Sequence, residues 1–226
     1  MEIEPQLLFR DASVLVLNKP ANIAVHAGFG DTNTLDKYFP QIQFGLPQPP
    51  QLAHRLDRAT SGCLVLGRHK QALIRLAHLF ANGLAEKTYL AVVVGTPKDA
   101  HGEINLPLGK QSAAKHRWLM KVDEKGQHAL TEYRVLGSDG TYSVVELKPK
   151  TGRTHQLRVH LAAIGHPILG EWIYNGEQVM PAKVGLQLHA SQIILPYNEK
   201  KPPIKADAPL PDHMKERVEM LLSSRV

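Results

Sequence analysis

The 226-residue chain has a single cysteine, Cys63, so no internal disulfide can form and a reducing compartment is the natural setting. Cys63 stands in the apolar run Cys63-Leu64-Val65-Leu66 and reads as a small buried hydrophobe rather than a nucleophile. No uncharged apolar stretch approaches the ~20 residues of a membrane helix. The acidic start Met1-Glu2-Ile3-Glu4-Pro5 lacks the charged-then-apolar design of a secretion signal, and a cytoplasmic location is expected. Also missing are a Walker loop, a GxGxxG turn, a Cys pair and an HExxH motif. Ser61 sits in Thr-Ser-Gly and not in a GxSxG elbow. Readings that need ATP, NAD or a serine nucleophile therefore have no footing. His155 and His160 are five residues apart and do not share a helix face well, which disfavours a metal site there.

What remains is a chain of ordinary composition, 43% hydrophobic and 21% charged, long enough for one large domain or two small lobes. Its formal net charge of +6 favours a polyanionic partner. Apolar runs at Leu7–Phe9 and Val14–Leu17 predict a hairpin that ends at Asn18-Lys19-Pro20. Residues 27–51 are rich in Gly, Pro, Asn and Gln and predict loop with a short helix over Thr34–Tyr38. Cys63–Leu66 reads as a buried strand. A helix is expected over His69–Asn82, with Leu73, Leu76, Ala77 and Phe80 on its apolar face and Gly83 as its cap.

Glu86–Val94 reads as a strand buried on both faces. Pro107–Gln127 is polar and basic and is expected to be irregular. Thr131–Leu136 and Tyr142–Leu147 predict a hairpin across Gly137-Ser138-Asp139-Gly140. A helix over Thr154–Ile164 carries Leu157, Leu161 and Ile164 and is stopped by Gly165 and Pro167. Leu186–Leu195 reads as a strand and Pro211–Leu222 as a helix with Met214, Val218, Leu221 and Leu222 inward. Strands and helices without regular alternation argue for an α+β fold with a mainly antiparallel sheet.

Two clusters carry chemistry. His54-Arg55-Leu56-Asp57-Arg58-Ala59-Thr60-Ser61-Gly62 sets one carboxylate among two arginines, a histidine and two hydroxyls. An arginine close by favours the ionised acid, so Asp57 is a candidate nucleophile or general base; the alternative is an aspartate pairing in a surface turn. The second cluster is Thr151-Gly152-Arg153-Thr154-His155-Gln156-Leu157-Arg158-Val159-His160. On a helix, His155 and Arg158 share one face beside the apolar stripe. An arginine there needs a carboxylate, and Asp57 is the distant candidate; the alternative is a basic helix solvated by water, or one that only grips phosphate. Lys110, Lys115, His116, Arg117, Trp118 and Lys121 mix positive charge with one large ring. They suit a surface that tracks a nucleic-acid strand, or a solvated loop.

Together these blocks resemble the RluA-type RNA pseudouridine synthases, over nearly the whole chain. Asn18-Lys19-Pro20 is similar to the family's early block. His54–Gly62 matches HRLDxxTSG, Lys87-Thr88-Tyr89-Leu90-Ala91 matches KxYxA, and Thr151–His160 and Gly165–Gly170 match GRTHQLRVH and GHPILG. Leu188-His189-Ala190 is similar to the closing LHA block. The resemblance implies a pseudouridine synthase-like α+β fold, with helices and loops flanking the sheet and a central active-site cleft. It implies conversion of uridine to pseudouridine in ribosomal or transfer RNA, with base flipping and no cofactor. Asp57 would be the catalytic acid, Arg158 its partner and Tyr89 the ring against the uracil. Arg55 would help hold the flipped conformation. His54, Lys19, Arg153 and His155 are expected RNA contacts, and Leu188 is expected to pack near the base. Because the catalytic pattern begins near residue 7, residues 1–226 are expected to form one catalytic domain, a monomer without a separate RNA-binding module. Two departures stand out: Glu171 where the family usually has Asp, and Leu195 where a His often precedes the Pro. Both lie outside the Asp–Tyr–Arg set and are expected to bear on local packing or on the substrate.

Overall fold

The structure is a computed structural model that describes residues 6–27, 33–111, 119–175 and 184–223. The chain divides into two compact units, each made of two stretches: residues 1–87 with 190–210, and residues 88–189 with 211–226. Lys115, His116, Arg117 and Trp118, candidates for a strand-tracking surface, lie outside the described residues.

The first unit grows from the two most apolar runs. Strands β1 (Gln6–Arg10) and β2 (Val14–Lys19) form the expected antiparallel hairpin. Asp11 closes its turn, its carboxylate oxygen accepting the amides of Ser13 and Val14, each at 2.7 Å. Val14–Leu17 are fully buried and Cys63–Leu66 nearly so, because β2 lies antiparallel against β4 (Ser61–Gly67) in mid-sheet. Within this unit the sheet runs β1-β2-β4-β11, where β11 is Leu188–Leu195. The short β3 (Gln51–Leu52) pairs with β4, and β12 (Ile204–Asp207) pairs with β11. Neither of these short strands has enough apolar residues to announce itself. The expected helix at 34–38 is a 3-10 helix over Leu35–Ile42, which buries Leu35, Phe39 and Ile42.

Helix α1 (Lys70–Ala81) meets its expectation in extent, with Gly83 left-handed just beyond it at φ 68°. Its inward face differs. Ala72, Leu76 and Leu79 are buried, while Ala77 is exposed and Phe80 is turned aside against the His54 ring.

The second unit holds antiparallel strands in the order β5-β10-β9-β6, with β5 Glu86–Val94, β6 His101–Asn105, β9 Leu130–Ser138 and β10 Tyr142–Pro149. In β5 only Ala91, Val92 and Val93 are fully buried, so it is less enclosed than its composition suggests. The segment expected to be irregular contains a separate two-stranded hairpin, β7 (Leu108–Gln111) and β8 (Leu119–Val122). Helix α2 (Gln156–Ala163) is not amphipathic: Gln156 to Leu161 are all buried, polar members included. Helix α3 (Asp212–Ser223) buries Met214, Val218 and Leu221, but Leu222, expected inward, is 44% exposed. Among the described residues no helix is long and apolar enough to cross a membrane.

Candidate active site

In the first unit, three of the sequence blocks meet through backbone geometry. Register places Lys19 of β2 opposite Gly62 of β4. Gly62 has φ 105°, and a Cβ there would stand 2.2 Å from the Ala190 carbonyl oxygen, so only glycine lets β4 and β11 approach this closely. Directly before this contact, Asp57 opens a turn whose carbonyl accepts the Thr60 amide at 3.1 Å. Leu56 points into the core, Asp57 is half-buried, and Arg55 and Arg58 are exposed on either side of it. An acid flanked by two solvent-facing guanidiniums is suited to a polyanion.

Lys19 was expected at the RNA surface. It is completely buried instead. Its ammonium donates to the carbonyls of Pro20 (2.8 Å), Ile23 (2.9 Å) and Arg58 (3.1 Å). All three N–H groups are thereby used, and the residue after Asp57 is tied to the end of β2. Burial pushes this ammonium down to about 7; the Asp57 charge opposes that shift and the Arg58 charge adds to it.

His54 is also held internally. Its Nε2 accepts the Val65 amide at 3.0 Å, and its ring lies 4.6 Å from that of Phe80. Burial lowers it to about 4, the nearby charge of Lys87 lowers it further, and a hydrogen bond with the Arg55 backbone opposes both. At neutral pH it is a neutral acceptor that fixes the start of the Asp57 segment. Burial likewise brings Lys87 down to about 8.

In the second unit, the KTYLA and GHPILG blocks run side by side. Leu169 N donates to Val92 O at 2.8 Å and Val94 N to Pro167 O at 2.9 Å, while Tyr89 is paired in register with Leu147 of β10. Leu188 opens β11 almost fully buried. The polar residues of the Thr151–His160 block divide between structure and surface. Gln156 Oε1 accepts from Thr151 Oγ1 (2.7 Å) and Arg153 N (3.0 Å); its amide nitrogen donates to Leu130 O and Thr131 Oγ1. His160, fully buried, bridges Thr131 Oγ1 and Leu106 O, each at 3.0 Å. Arg153 is exposed and reaches the His128 carbonyl. His155 adopts a left-handed conformation at φ 52°, a local strain that these hydrogen bonds hold in place.

Arg158 is buried, and its described carboxylate partner is Glu171. Nε meets Oε2 at 2.6 Å and Nη2 meets Oε1 at 2.9 Å, a two-point fork along one edge of the guanidinium. Glu171 is fully buried, and Oε1 also accepts the amides of Ile173 (2.8 Å) and Tyr174 (3.3 Å). Burial pushes this carboxyl up, but the bond and charge of Arg158 and the two amides outweigh it, and the net displacement is downward. Glu171 therefore belongs with Arg158, contrary to the expectation that this departure lay apart from the functional set. Its signal was its place directly after GHPILG. Tyr174 was also missed: its hydroxyl lies 2.7 Å from His155 Nδ1.

An open depression of about 510 Å³ lies on the β6–β9–β10 face; of its three acids, Glu146 pairs with Arg134 and Glu132 with Lys150, and Glu103 is exposed.

The fold and these residues define a class whose members the comparisons supply. A family described as RNA pseudouridylate synthase matches residues 13–163. An uncharacterized RNA pseudouridine synthase of Zymomonas mobilis is 39% identical over 207 residues, covering 91% of this chain and 94% of its own length. Ribosomal large subunit pseudouridine synthase C of Vibrio vulnificus is 32% identical over 233 residues, covering 99% of this chain and 71% of its own. Among solved structures, human RNA pseudouridylate synthase domain containing 4 superposes with a TM-score of 0.77 at 28% identity, over 95% of this chain and 93% of that one. The chain belongs to the RNA pseudouridylate synthase family and is of the RluA type. It is an RNA pseudouridine synthase, an isomerase that moves uracil from an N1 to a C5 linkage.

Proposed function

We propose that this enzyme modifies a uridine in structured RNA, ribosomal RNA before transfer RNA, with Asp57 starting the reaction. The N1–C1′ bond breaks, the uracil turns, and C5 bonds to C1′. The proton lost from C5 is balanced by one gained at N1, so no atoms enter or leave. Arg158 is the ion-pair partner that orients Asp57. Tyr89 packs on the uracil and assists proton removal at C5. The target base leaves its stack at a cost of a few kcal/mol. Arg55 offsets that cost by occupying the vacated space. Arg153 and His155 contact the RNA backbone, and Leu188 packs near the base.

The observation that carries this reading is the Asp57 turn: a half-buried acid between two exposed arginines, on a segment anchored from behind by the buried Lys19. The preference for ribosomal RNA rests on the name of the Vibrio relative. Asp57→Asn tests it, because a neutral amide is neither nucleophile nor base, whereas affinity comes mainly from phosphate contacts. The expected result is loss of isomerisation on ribosomal fragments with RNA binding reduced less than about tenfold. Retention of half the wild-type single-turnover rate removes Asp57 from its role. Mapping pseudouridine in ribosomal and transfer RNA with and without the gene identifies the target.

A further inference from the structure

The β7–β8 hairpin is a sheet of its own, attached to the rest of its unit at a few points. Leu108 is held by reciprocal backbone bonds with Gln127, at 2.9 and 2.8 Å. Otherwise the hairpin is anchored by side chains. Leu108 of β7 and Met120 of β8 enter a small apolar cluster with Ala129 and with Val159 of α2, and Tyr174 packs against that cluster. The Tyr174 hydroxyl accepts the Met120 amide at 3.1 Å. The same hydroxyl lies 2.7 Å from His155 Nδ1, and the two rings meet edge-on at 5.6 Å. The Arg158 guanidinium carbon lies 5.4 Å from the Tyr174 ring centre. The Tyr174 amide donates to Glu171 Oε1, the oxygen that also holds Arg158 Nη2. One residue thus touches the hairpin, His155, Arg158 and the carboxylate that aims Arg158.

We propose that Tyr174 is a positioning residue that ties the β7–β8 hairpin to Arg158, so that RNA gripped by the hairpin helps to set the orientation of the arginine. The inference rests on the reading of Arg158 as the partner of Asp57. The hairpin carries exposed Lys110 and Lys121 on its two strands, and phosphates bound there order it. That order reaches the arginine through the Met120–Tyr174 hydrogen bond and the cluster beneath it. A tyrosine that only filled space would use its ring and not its hydroxyl. Here the hydroxyl is the atom that joins β8 to His155.

Tyr174→Phe keeps the ring and its packing but leaves the Met120 amide and His155 Nδ1 without that oxygen. With two hydrogen bonds lost, the single-turnover rate on a saturating stem-loop should fall at least about fivefold, while the dissociation constant changes less than about threefold. The Lys110→Ala/Lys121→Ala variant is then measured alone and combined with Tyr174→Phe. In the wild-type background it should lower the saturated rate as well as affinity; in the Phe background it should lower affinity with little further loss of rate. Effects on rate that multiply independently, or a Phe variant with the wild-type rate, overturn the proposal. Thermal melting establishes that each variant is folded. If Tyr174→Phe does not fold, the lysine variant decides alone: a loss of affinity with an unchanged saturated rate overturns the coupling. Asp57→Asn is run alongside. Full activity there removes the catalytic reading itself, a different result from independent effects at Tyr174.

Discussion

Glu171→Gln is the sharpest probe of the second unit. The side chains of Arg158 and Glu171 are 5% and 0% exposed. The carboxylate accepts four hydrogen bonds, two from the guanidinium and two from the amides of Ile173 and Tyr174. Glutamine cannot reproduce this set. With its oxygen at the Oε1 position, its NH2 faces Arg158 Nε, a donor against a donor at the site of a 2.6 Å bond. Turned over, the NH2 confronts the Arg158, Ile173 and Tyr174 donors instead. Removing one partner of a buried pair costs about 3–5 kcal/mol, because the other charge stays buried without it. For a chain of this size that lowers Tm by roughly 6–20 °C. Glu132→Gln is the control: its 2.8 Å pair with Lys150 is 39% and 50% exposed and is expected to contribute less than about 1 kcal/mol. Urea unfolding of both variants, with single-turnover rates taken where both are folded, makes the comparison. Glu171→Gln should also lose most of its activity, since Arg158 loses its aim. The sign with pH follows from the lowered carboxyl. Its contribution is complete above the ordinary value of 4.5 and is lost as pH falls through the lower folded value, so the gap between wild type and Glu171→Gln should narrow in acid. A Glu171→Gln variant no less stable than Glu132→Gln refutes the reasoning.

Three other outcomes are expected. Tyr89→Phe should bind RNA normally and lose most of its turnover, because the hydroxyl is absent at the proton-transfer step; full activity reduces Tyr89 to packing. Arg55→Ala should impair a stem-loop much more than an unstructured oligonucleotide whose uridine is already unstacked, and equal losses on both count against a role in flipping. Lys19 is depressed from 10.5 to about 7, so between those values the unfolded chain binds a proton that the folded chain does not. Its contribution to stability therefore rises with pH across that window, and Lys19→Met should flatten the rise measured between pH 7 and 9. Parallel pH profiles for the two proteins contradict the burial argument.

The parts of this fold that are legible in sequence are those stabilised by continuous apolar surface. Val14–Leu17 and Cys63–Leu66 announce β2 and β4 because a strand buried on both faces needs an unbroken apolar run. The β7–β8 hairpin is different. Only Leu108 and Met120 are buried, and neither Leu108-Gly109-Lys110-Gln111 nor Leu119-Met120-Lys121-Val122 alternates apolar with polar residues. The extent of α2 is close to expectation, yet its environment is not. Gln156, Arg158 and His160 are buried by polar pairing, which hydrophobic spacing cannot register. On α1, Phe80 leaves the core face for the His54 ring and Leu79 takes its place. The candidate residues are visible as motifs, but the resemblance that makes Lys19 and His54 expected RNA contacts does not show that both are held inward. Their partners, the carbonyls of Pro20, Ile23 and Arg58 and the Val65 amide, are backbone groups that no side-chain pattern reveals.

The division of the chain also bears on how the protein is made. Neither unit is a continuous segment: the first lacks residues 190–210 until late in synthesis, and the second is completed only by residues 211–226. At roughly 5–20 residues per second, the β2–β4 core emerges on the order of ten seconds before β11, the strand that lies beside β4. During that interval the nascent chain displays the edge of β4 that later lies beside β11, next to the apolar run Cys63–Leu66. Slow translation or a stall between residues 88 and 190 would prolong that exposure. For this fold the ribosome's pace, and the chaperones waiting at its exit, are part of what decides how much enzyme a cell obtains.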